Sequence, residues 1–502
     1  MGPVEQLTAD ARDRAPVHAP AATGHAASDT APALAMRPGR WIDNWDAEDA
    51  RFWNGIGRTT ASVNLKWSIF CEFLGFVVWQ LWSIVAIYLP AAGFDLTTSQ
   101  VFWLISMPSL VGATLRVPYT FMVPRFGGRN WTVVSALLLL LPAGGLAWAV
   151  SDPSTPFWVM LTLAGMAGFG GGNFASSMAN ITYFYPAREK GWALGLNAAG
   201  GNLGASVAQL VVPLAVTAFA AGSLNLPLAG LVWIPLILVA AWGARRHMHN
   251  LSHAKGDAAG SLAALREPHL WVIAVLYIGT FGSFIGFSAV FPKLIKDTFP
   301  EFSSFAVAGA SLSLAFLGPL VGSLARPIGG RLADRVGGAR ITVCAFAVMA
   351  AITVAVTAVL PLGNFWLFLA LFIALFTASG VGNGSTYRMI PTVFSLRRTA
   401  AAAMGARGAA DAEADGNAEA DGRRTSAAPV SPERQASAAL GLVSAIGAYG
   451  GFLIPQALGA SAGATGAYTA AFSGFVAAYL GMLALTWFCY LRPGTAFARQ
   501  GV

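Results

Sequence analysis

The chain has 502 residues, 56% of them hydrophobic and 11% charged, and a mean hydropathy of +0.60. Soluble domains carry about 25% charged residues, so this composition excludes an ordinary soluble enzyme or binding module and fits a polytopic membrane protein. The net charge of +8 does not point to nucleic acid, because the basic residues lie in short loops between apolar runs, where they mark topology.

Residues 1–40 are rich in Ala, Pro, Asp and Arg and lack the apolar core of a signal peptide, so they read as a disordered tail. Trp41, Trp45, Phe52 and Trp53 among charges predict an interfacial amphipathic segment over 41–64. Apolar runs of about 20 residues, the length that crosses a hydrocarbon core, then follow. They lie near 65–89, 99–123, 131–150, 157–185, 191–215, 226–244, 269–291, 304–330, 341–360, 365–395, 436–458 and 467–490. The expected fold is an all-α polytopic membrane protein with twelve transmembrane helices in two six-helix halves, 65–244 and 269–490. A central cytoplasmic loop at 245–268 joins the halves. The stretch 397–435, rich in Ala, Asp, Gly and Arg, reads as a disordered cytoplasmic loop, and 491–502 as a tail.

The loops alternate in basic content. One side holds Arg125 and Arg129; Arg188 and Lys190; Arg245, Arg246, Lys255 and Arg266; Arg331, Arg335 and Arg340; Arg397 and Arg398; and Arg492. The other side holds little beyond Lys293 and Lys296, beside Asp297 and Glu301. The positive-inside rule therefore predicts an inner-membrane protein with both termini in the cytoplasm. Cys71, Cys344 and Cys489 show no CxxC spacing, which argues against a disulfide framework or zinc site. "HMHNLSH" (247–253) lies in the basic central loop and reads as part of it rather than as a metal site.

The halves repeat. Arg116 lies ten residues before "FGG" (126–128) and Arg326 ten before "VGG" (336–338), an offset of 210 that Arg125 and Arg335 share. The fourth and tenth runs carry "GFGGG" (168–172) and "GVGNG" (380–384), and the fifth and eleventh each carry "ALGL". Parallel repeats of this kind place a substrate site between the halves near the bilayer midplane.

A guanidinium at that depth costs at least a few kcal/mol. Arg116 and Arg326 occupy equivalent places, so the pseudo-two-fold brings them face to face, where they repel unless an anion lies between them. The planar fork of Arg suits a planar oxyanion and keeps its charge at all relevant pH. Around them, Asn173, Ser177 and Asn180 recur on one face of the fourth run, with Phe174 adjacent; Asn202, Ser206 and Gln209 do so on the fifth; and Tyr277, Phe281, Phe284 and Ser288 stripe the seventh. The glycines Gly168, Gly170, Gly172, Gly380, Gly382 and Gly384 read as surfaces for close helix packing and sliding. No Lys-Ser/Thr follows them, so they are not a phosphate loop.

"GGRLADRVGGAR" (329–340), with Asp334 and Arg335, resembles the cytoplasmic loop motif of the major facilitator superfamily; its first-half copy "VPRFGGRN" lacks the acidic residue. "GFGGGNFASSMANITYFYP" (168–186), "GVGNGSTYRMIPTVF" (380–394), "LRVPYTFMVPRFGGR" and "YIGTFGSFIGFSA" resemble the NarK-type nitrate/nitrite porter family, from about Trp41 to the last helix. The resemblance implies that Arg116 and Arg326 clamp the anion and that Phe174 and Phe281 sandwich it. It also implies that Tyr277 and Asn202 donate hydrogen bonds. "LNAAGGNLG" has Ala198 and Ala199 where the resemblance implies glycine in the exchanger branch of the family.

Glu72 is the one acidic residue placed well inside a run, and Arg388 lies at a similar distance from the cytoplasmic end of the tenth. The resemblance implies that the first and tenth helices both face the central cavity, so a Glu72–Arg388 pair is possible. A carboxylate there can couple a proton to the anion. The resulting expectation is a nitrate carrier working by alternating access and proton symport, with a nitrate/nitrite antiporter as alternative and a non-transporting nitrate sensor as a remote one. Its partners are nitrate, nitrite, protons and membrane lipid, without nucleic acid or cofactor, and the monomer is the functional unit. No nucleophile–base arrangement is visible, which argues against an enzyme.

Overall fold

The computed structural model describes residues 33–218, 224–254, 264–307, 309–414, 432–494, 497 and 502. Among the described residues twelve long helices form two sets of six. The first set is α1 (Ala50–Val85), α2 (Thr98–Phe126), α3 (Gly128–Ala149), α4 (Phe157–Phe184), α5 (Ala187–Thr217) and α6 (Leu228–His247). The second is α7 (Pro268–Thr298), α8 (Leu317–Val336), α9 (Gly338–Leu362), α10 (Phe365–Ala414), α11 (Ala439–Thr465) and α12 (Thr469–Leu491). Ten are long and apolar enough to cross a membrane by composition alone; α4 and α8 are not. The reason is chemical: α4 holds a Gly, Asn and Ser run, and α8 holds Arg326, Arg331, Asp334 and Arg335. Exposed Trp148, Trp158 and Trp366 ring one end of the bundle and Trp192, Trp242, Trp271 and Trp487 the other, as interfacial belts do.

The repeat is visible in the packing. In the first half α2 packs most extensively on α4, and in the second α8 packs on α10. The glycine strings make both contacts close. A Cβ on Gly168 would lie 2.6 Å from the Gly112 nitrogen and 2.9 Å from the Pro108 oxygen of α2; one on Gly384 would lie 2.7 Å from the Gly330 nitrogen of α8. Gly170 meets Gly75 of α1, Gly172 meets Tyr119, Gly380 meets Gly322, and Gly382 meets Thr280. Gly168→Val is expected to cost about 3 kcal/mol by overpacking, read as a lower unfolding temperature in detergent with the helix content of surviving protein unchanged.

Four expectations need correction. The stretch 304–316, expected to begin the eighth span, is instead a hairpin of β4 (Phe305–Val307) and β5 (Ala310–Leu312) followed by a 3₁₀ turn, Leu314–Phe316. Gly309, at φ +82°, makes the reversal that a helix cannot. The segment 41–64 is not a separate amphipathic helix with its aromatic residues turned outward. Trp45, Phe52 and Trp53 are buried in the protein, with Trp45 against Phe184 and the Trp53 Nε1 donating to Glu189 Oε1 at 3.0 Å, and residues from Ala50 onward belong to α1.

The expected tail is ordered from 33 onward: β1 (Met36–Arg37) pairs with β2 (Trp41–Ile42), which runs parallel to β3 (Asn250–Leu251) of the central loop. Residues 1–32 lie outside the described part, as does Lys255. The loop 397–435 is helical as far as Ala414 and again from Pro432. Its alanines are strong helix formers and extend α10 beyond the apolar run. Residues 415–431 lie outside the described part.

The small sheet ties the central loop to the first half. Arg40 donates through Nε to the Met248 oxygen at 2.9 Å and lies 2.6 Å from His249 Nε2, while the His249 amide donates to Asn64 Oδ1 at 2.8 Å. Burial, then the neighbouring Arg40 and Arg129 charges, push the His249 imidazole down to about 4. Its unfolded value is about 6.5, so the unfolded chain binds more protons between these values and the clasp loses stability as pH falls from about 6.5 to about 4. Proteolysis at Arg37 and Arg40 is expected to accelerate across that window, and His249→Asn to flatten the dependence; a flat wild-type profile would remove His249 from the clasp.

Candidate functional site

Arg116 on α2 and Arg326 on α8 are both buried, at 0% and 4% exposure, and both guanidiniums lie over the ring of Phe174 on α4, at 4.5 and 5.7 Å. Arg116 also lies 4.9 Å from the Phe281 ring and 5.5 Å from Trp79; Arg326 lies 5.3 Å from Tyr387. Such contacts place cations on the negative faces of the rings but neutralise nothing. Among the described residues neither arginine forms an ion pair.

Hydrogen bonds aim the guanidiniums. Arg116 donates through Nε to the Gly171 oxygen at 3.1 Å and through Nη1 to the Ser444 oxygen of α11 at 2.8 Å, and its Nη2 has no partner. Arg326 donates through Nη2 to the Tyr277 hydroxyl at 3.4 Å, and its Nη1 has no partner. A buried charged donor left unsatisfied is costly. Two of them, contributed by the two halves, make a site that can hold one small monovalent anion.

The aromatic floor comes from a local irregularity. Residues Ile278–Gly282 of α7 form a π-helical turn, a feature that recurs at functional sites. Tyr277 and Phe281 stack at 5.3 Å and 15°. Phe281 in turn stacks on Phe174 at 6.0 Å and 29°. A planar ligand between two rings needs about 3.5 Å on each face, so Phe174 and Phe281 must part by about 1 Å to sandwich one.

The structure thus brings Arg116, Arg326, Phe174, Phe281 and Tyr277 together. Asn173 is buried, but its amide lies beside Gly75 of α1 and has no hydrogen-bond partner. Asn202 is buried on α5 with its amide oxygen unpartnered, and it bonds neither arginine. Its neighbours on that stripe serve another purpose: Ser206 Oγ donates to the Phe316 oxygen at 2.9 Å and Gln209 Nε2 to the Ser288 oxygen at 2.6 Å. With Gln456 Nε2 donating to Ser106 Oγ at 2.7 Å, these bonds join the halves at the arginine-poor end.

The Glu72–Arg388 pair does not form. Arg388 pairs with Asp334 of the loop motif, both about half exposed, and the short reach from α10 to α8 holds it at the arginine-rich face. Glu72 is buried; its Oε2 accepts from Asn197 Nδ2 at 2.7 Å and its Oε1 has no partner, within electrostatic range of both site arginines. Arg335 belongs to the last turn of α8.

Sequence reading missed Trp79, Tyr387, Asn197 and Asn383. Asn383 is buried with both amide atoms unpartnered, and its place inside "GVGNG" was the available signal. Trp79 and Tyr387 gave none, since each resembles an ordinary core aromatic.

The family model of the Major Facilitator Superfamily matches residues 70–410. The nitrate/nitrite transporter NarU of Salmonella typhimurium is 42% identical over 90% of this chain and 96% of its own length. The probable nitrate/nitrite antiporter NarK2 of Thermus thermophilus is 36% identical over 92% and 99%. Among solved structures, a bacterial homologue of the human lysosomal transporter Spinster, in an inward-facing and occupied conformation, matches with a TM-score of 0.60 at 14% identity, over 88% of this chain and 97% of that one. The chain therefore belongs to the major facilitator superfamily and, within it, to the NarK-type nitrate/nitrite porters.

Proposed function

We propose that the chain carries nitrate, and nitrite with it, across the inner membrane by alternating access, and that protons drive nitrate uptake by symport. The observation that carries the reading is the opposed pair Arg116 and Arg326, sealed from solvent, each with one nitrogen unpartnered. Nitrate is planar, monovalent and bears three acceptor oxygens, which suits two guanidinium forks above aromatic faces. The names of the relatives from Salmonella and Thermus support the same substrates.

Two buried guanidiniums facing each other repel. A bound anion removes that repulsion and lets the halves rock against each other. With the arginine-rich loops in the cytoplasm, the bonds of Ser206, Gln209 and Gln456 form an outer gate that must break to admit substrate. Asn202 and Asn173 have unpartnered amide atoms that can turn toward the anion when it binds. Glu72, close to both arginines but paired with neither, is the coupling group: its charge opposes the anion, and protonation removes that opposition. Arg388, expected beside it, has no part in this step.

Antiport is the second reading, favoured by the name of the Thermus relative. Proteoliposomes without internal anion, given external nitrate and an inward proton gradient at clamped potential, separate the two. Uphill accumulation that a protonophore abolishes is the expected result. Uptake only when nitrite is placed inside would establish exchange instead, and no flux in either case would leave a sensor.

A further inference from the structure

Helix α1 carries Thr60, Asn64, Ser68 and Glu72 at four-residue intervals, so they share one face, and all four are buried. The anion site uses none of the first three. Ser68 lies one turn from Glu72 toward the arginine-rich end, and its hydroxyl is 2.8 Å from Ser177 Oγ of α4. Ser177 Oγ and Glu72 Oε2 share one donor, Asn197 Nδ2. The order is therefore carboxylate, hydroxyl, hydroxyl, toward the arginine-rich end of α1.

Asn197 determines which hydrogens can move. Its Nδ2 donates both to Glu72 Oε2 and to Ser177 Oγ, at 2.7 and 2.6 Å. Ser177 thus already receives a hydrogen bond, and its own single hydrogen can point to Ser68, or to the unpartnered Glu72 Oε1 once the carboxyl turns toward it. A pure packing role would need one bond between α1 and α4; it would not need a donor that holds the carboxylate and the first hydroxyl together. Direction matters as well. A proton leaving Glu72 through the anion site would pass two guanidiniums, whereas the serine line runs between α1 and α4. Below Ser68, Asn64 is held by the Thr60 oxygen and the His249 amide, buried one turn nearer the arginine-rich end where the central loop packs on α1.

We propose that Ser177 and Ser68 relay the proton between Glu72 and water at the arginine-rich face. The relay rests on the proton-coupled reading of Glu72. The Glu72 O–H bond breaks as its hydrogen passes to Ser177 Oγ, the Ser177 hydrogen passes to Ser68 Oγ, and the Ser68 hydrogen passes to a water molecule. Glu72 ends as carboxylate, each serine keeps one hydrogen, and the proton leaves as hydronium. Rotation of both hydroxyls resets the line.

The test uses the full chain in proteoliposomes, with labelled nitrate as probe. Ser68→Ala is expected to slow proton-driven nitrate uptake at least tenfold while nitrate/nitrite exchange stays within twofold of the parent, and Ser68→Thr, which restores a hydroxyl, to recover the rate. If Ser68→Ala yields no folded protein, Ser177→Ala is read the same way. Parent-like proton-driven uptake in Ser68→Ala, with accumulation lost in Glu72→Gln, would overturn the relay and leave the coupling role of Glu72 intact. Equal slowing of uptake and exchange would overturn it in favour of packing. Full accumulation in Glu72→Gln would remove the carboxylate from coupling and the relay with it.

Discussion

Replacing either site arginine with lysine is expected to weaken nitrate binding by roughly 100-fold and to abolish measurable uptake at substrate levels that saturate the parent. Lysine keeps the charge but offers one compact ammonium in place of a fork. The Arg116 guanidinium does two tasks at once: Nε and Nη1 are held by the Gly171 and Ser444 oxygens, and Nη2 is left facing the site. A single ammonium cannot stay on those carbonyls and also reach the anion. The same holds for Arg326, where Nη2 bonds the Tyr277 hydroxyl and Nη1 is unpartnered. Losing one or two charge-assisted hydrogen bonds is worth about 3 kcal/mol, which is roughly two decades in affinity. Titration calorimetry in detergent measures the affinity and proteoliposome flux the transport. Near-normal nitrate affinity in both lysine variants would sink the clamp.

Glu72→Gln is the second large effect. Glutamine keeps the size of the side chain and can still accept the Asn197 hydrogen bond, so the fold should survive, but it cannot take up or release a proton. Proton-driven accumulation is expected to vanish, while nitrate still moves down its own gradient. The sign of the affinity change is also set. The Glu72 charge lies within electrostatic range of Arg116 and Arg326 and competes with the anion for them, so the neutral variant should bind nitrate at least as tightly as the parent, with less dependence on pH. Accumulation equal to that of the parent would take Glu72 out of the mechanism, and weaker binding would mean that its charge holds the site together instead.

Both predictions rest on residues visible in the sequence, for a physical reason. A permanent charge inside an apolar run is expensive at bilayer depth, so Arg116, Arg326 and Glu72 announce themselves without any coordinates. The repeated offset paired the two arginines, and the structure sets both over the Phe174 ring. Neutral groups send no such signal: Trp79 and Tyr387 look like core residues until the guanidiniums are seen against them. Arg388 shows the opposite failure. Its depth along α10 matched that of Glu72 along α1, but depth does not specify facing, and Asp334 on the adjoining helix was the nearer counter-charge.

Irregular backbone was the least legible part. The π-helical turn at Ile278–Gly282 and the hairpin at 305–312 depend on what neighbouring helices leave room for, as does the sheet that joins residues 36–42 to 250–251. Partners more than 200 positions apart carry no local periodicity. By itself the sequence determined most of the helices, the two-fold repeat and the buried charges, since each follows from apolar length, spacing or the cost of a charge in lipid, and its long motifs carried the family. Only the tertiary structure decided which neutral groups surround those charges, which stripe bonds the two halves rather than lining the arginine pair, and which groups hydrogen-bond around Glu72. Those outcomes turn on contacts of about 3 Å between helices far apart in the chain, which side-chain spacing along one helix does not encode.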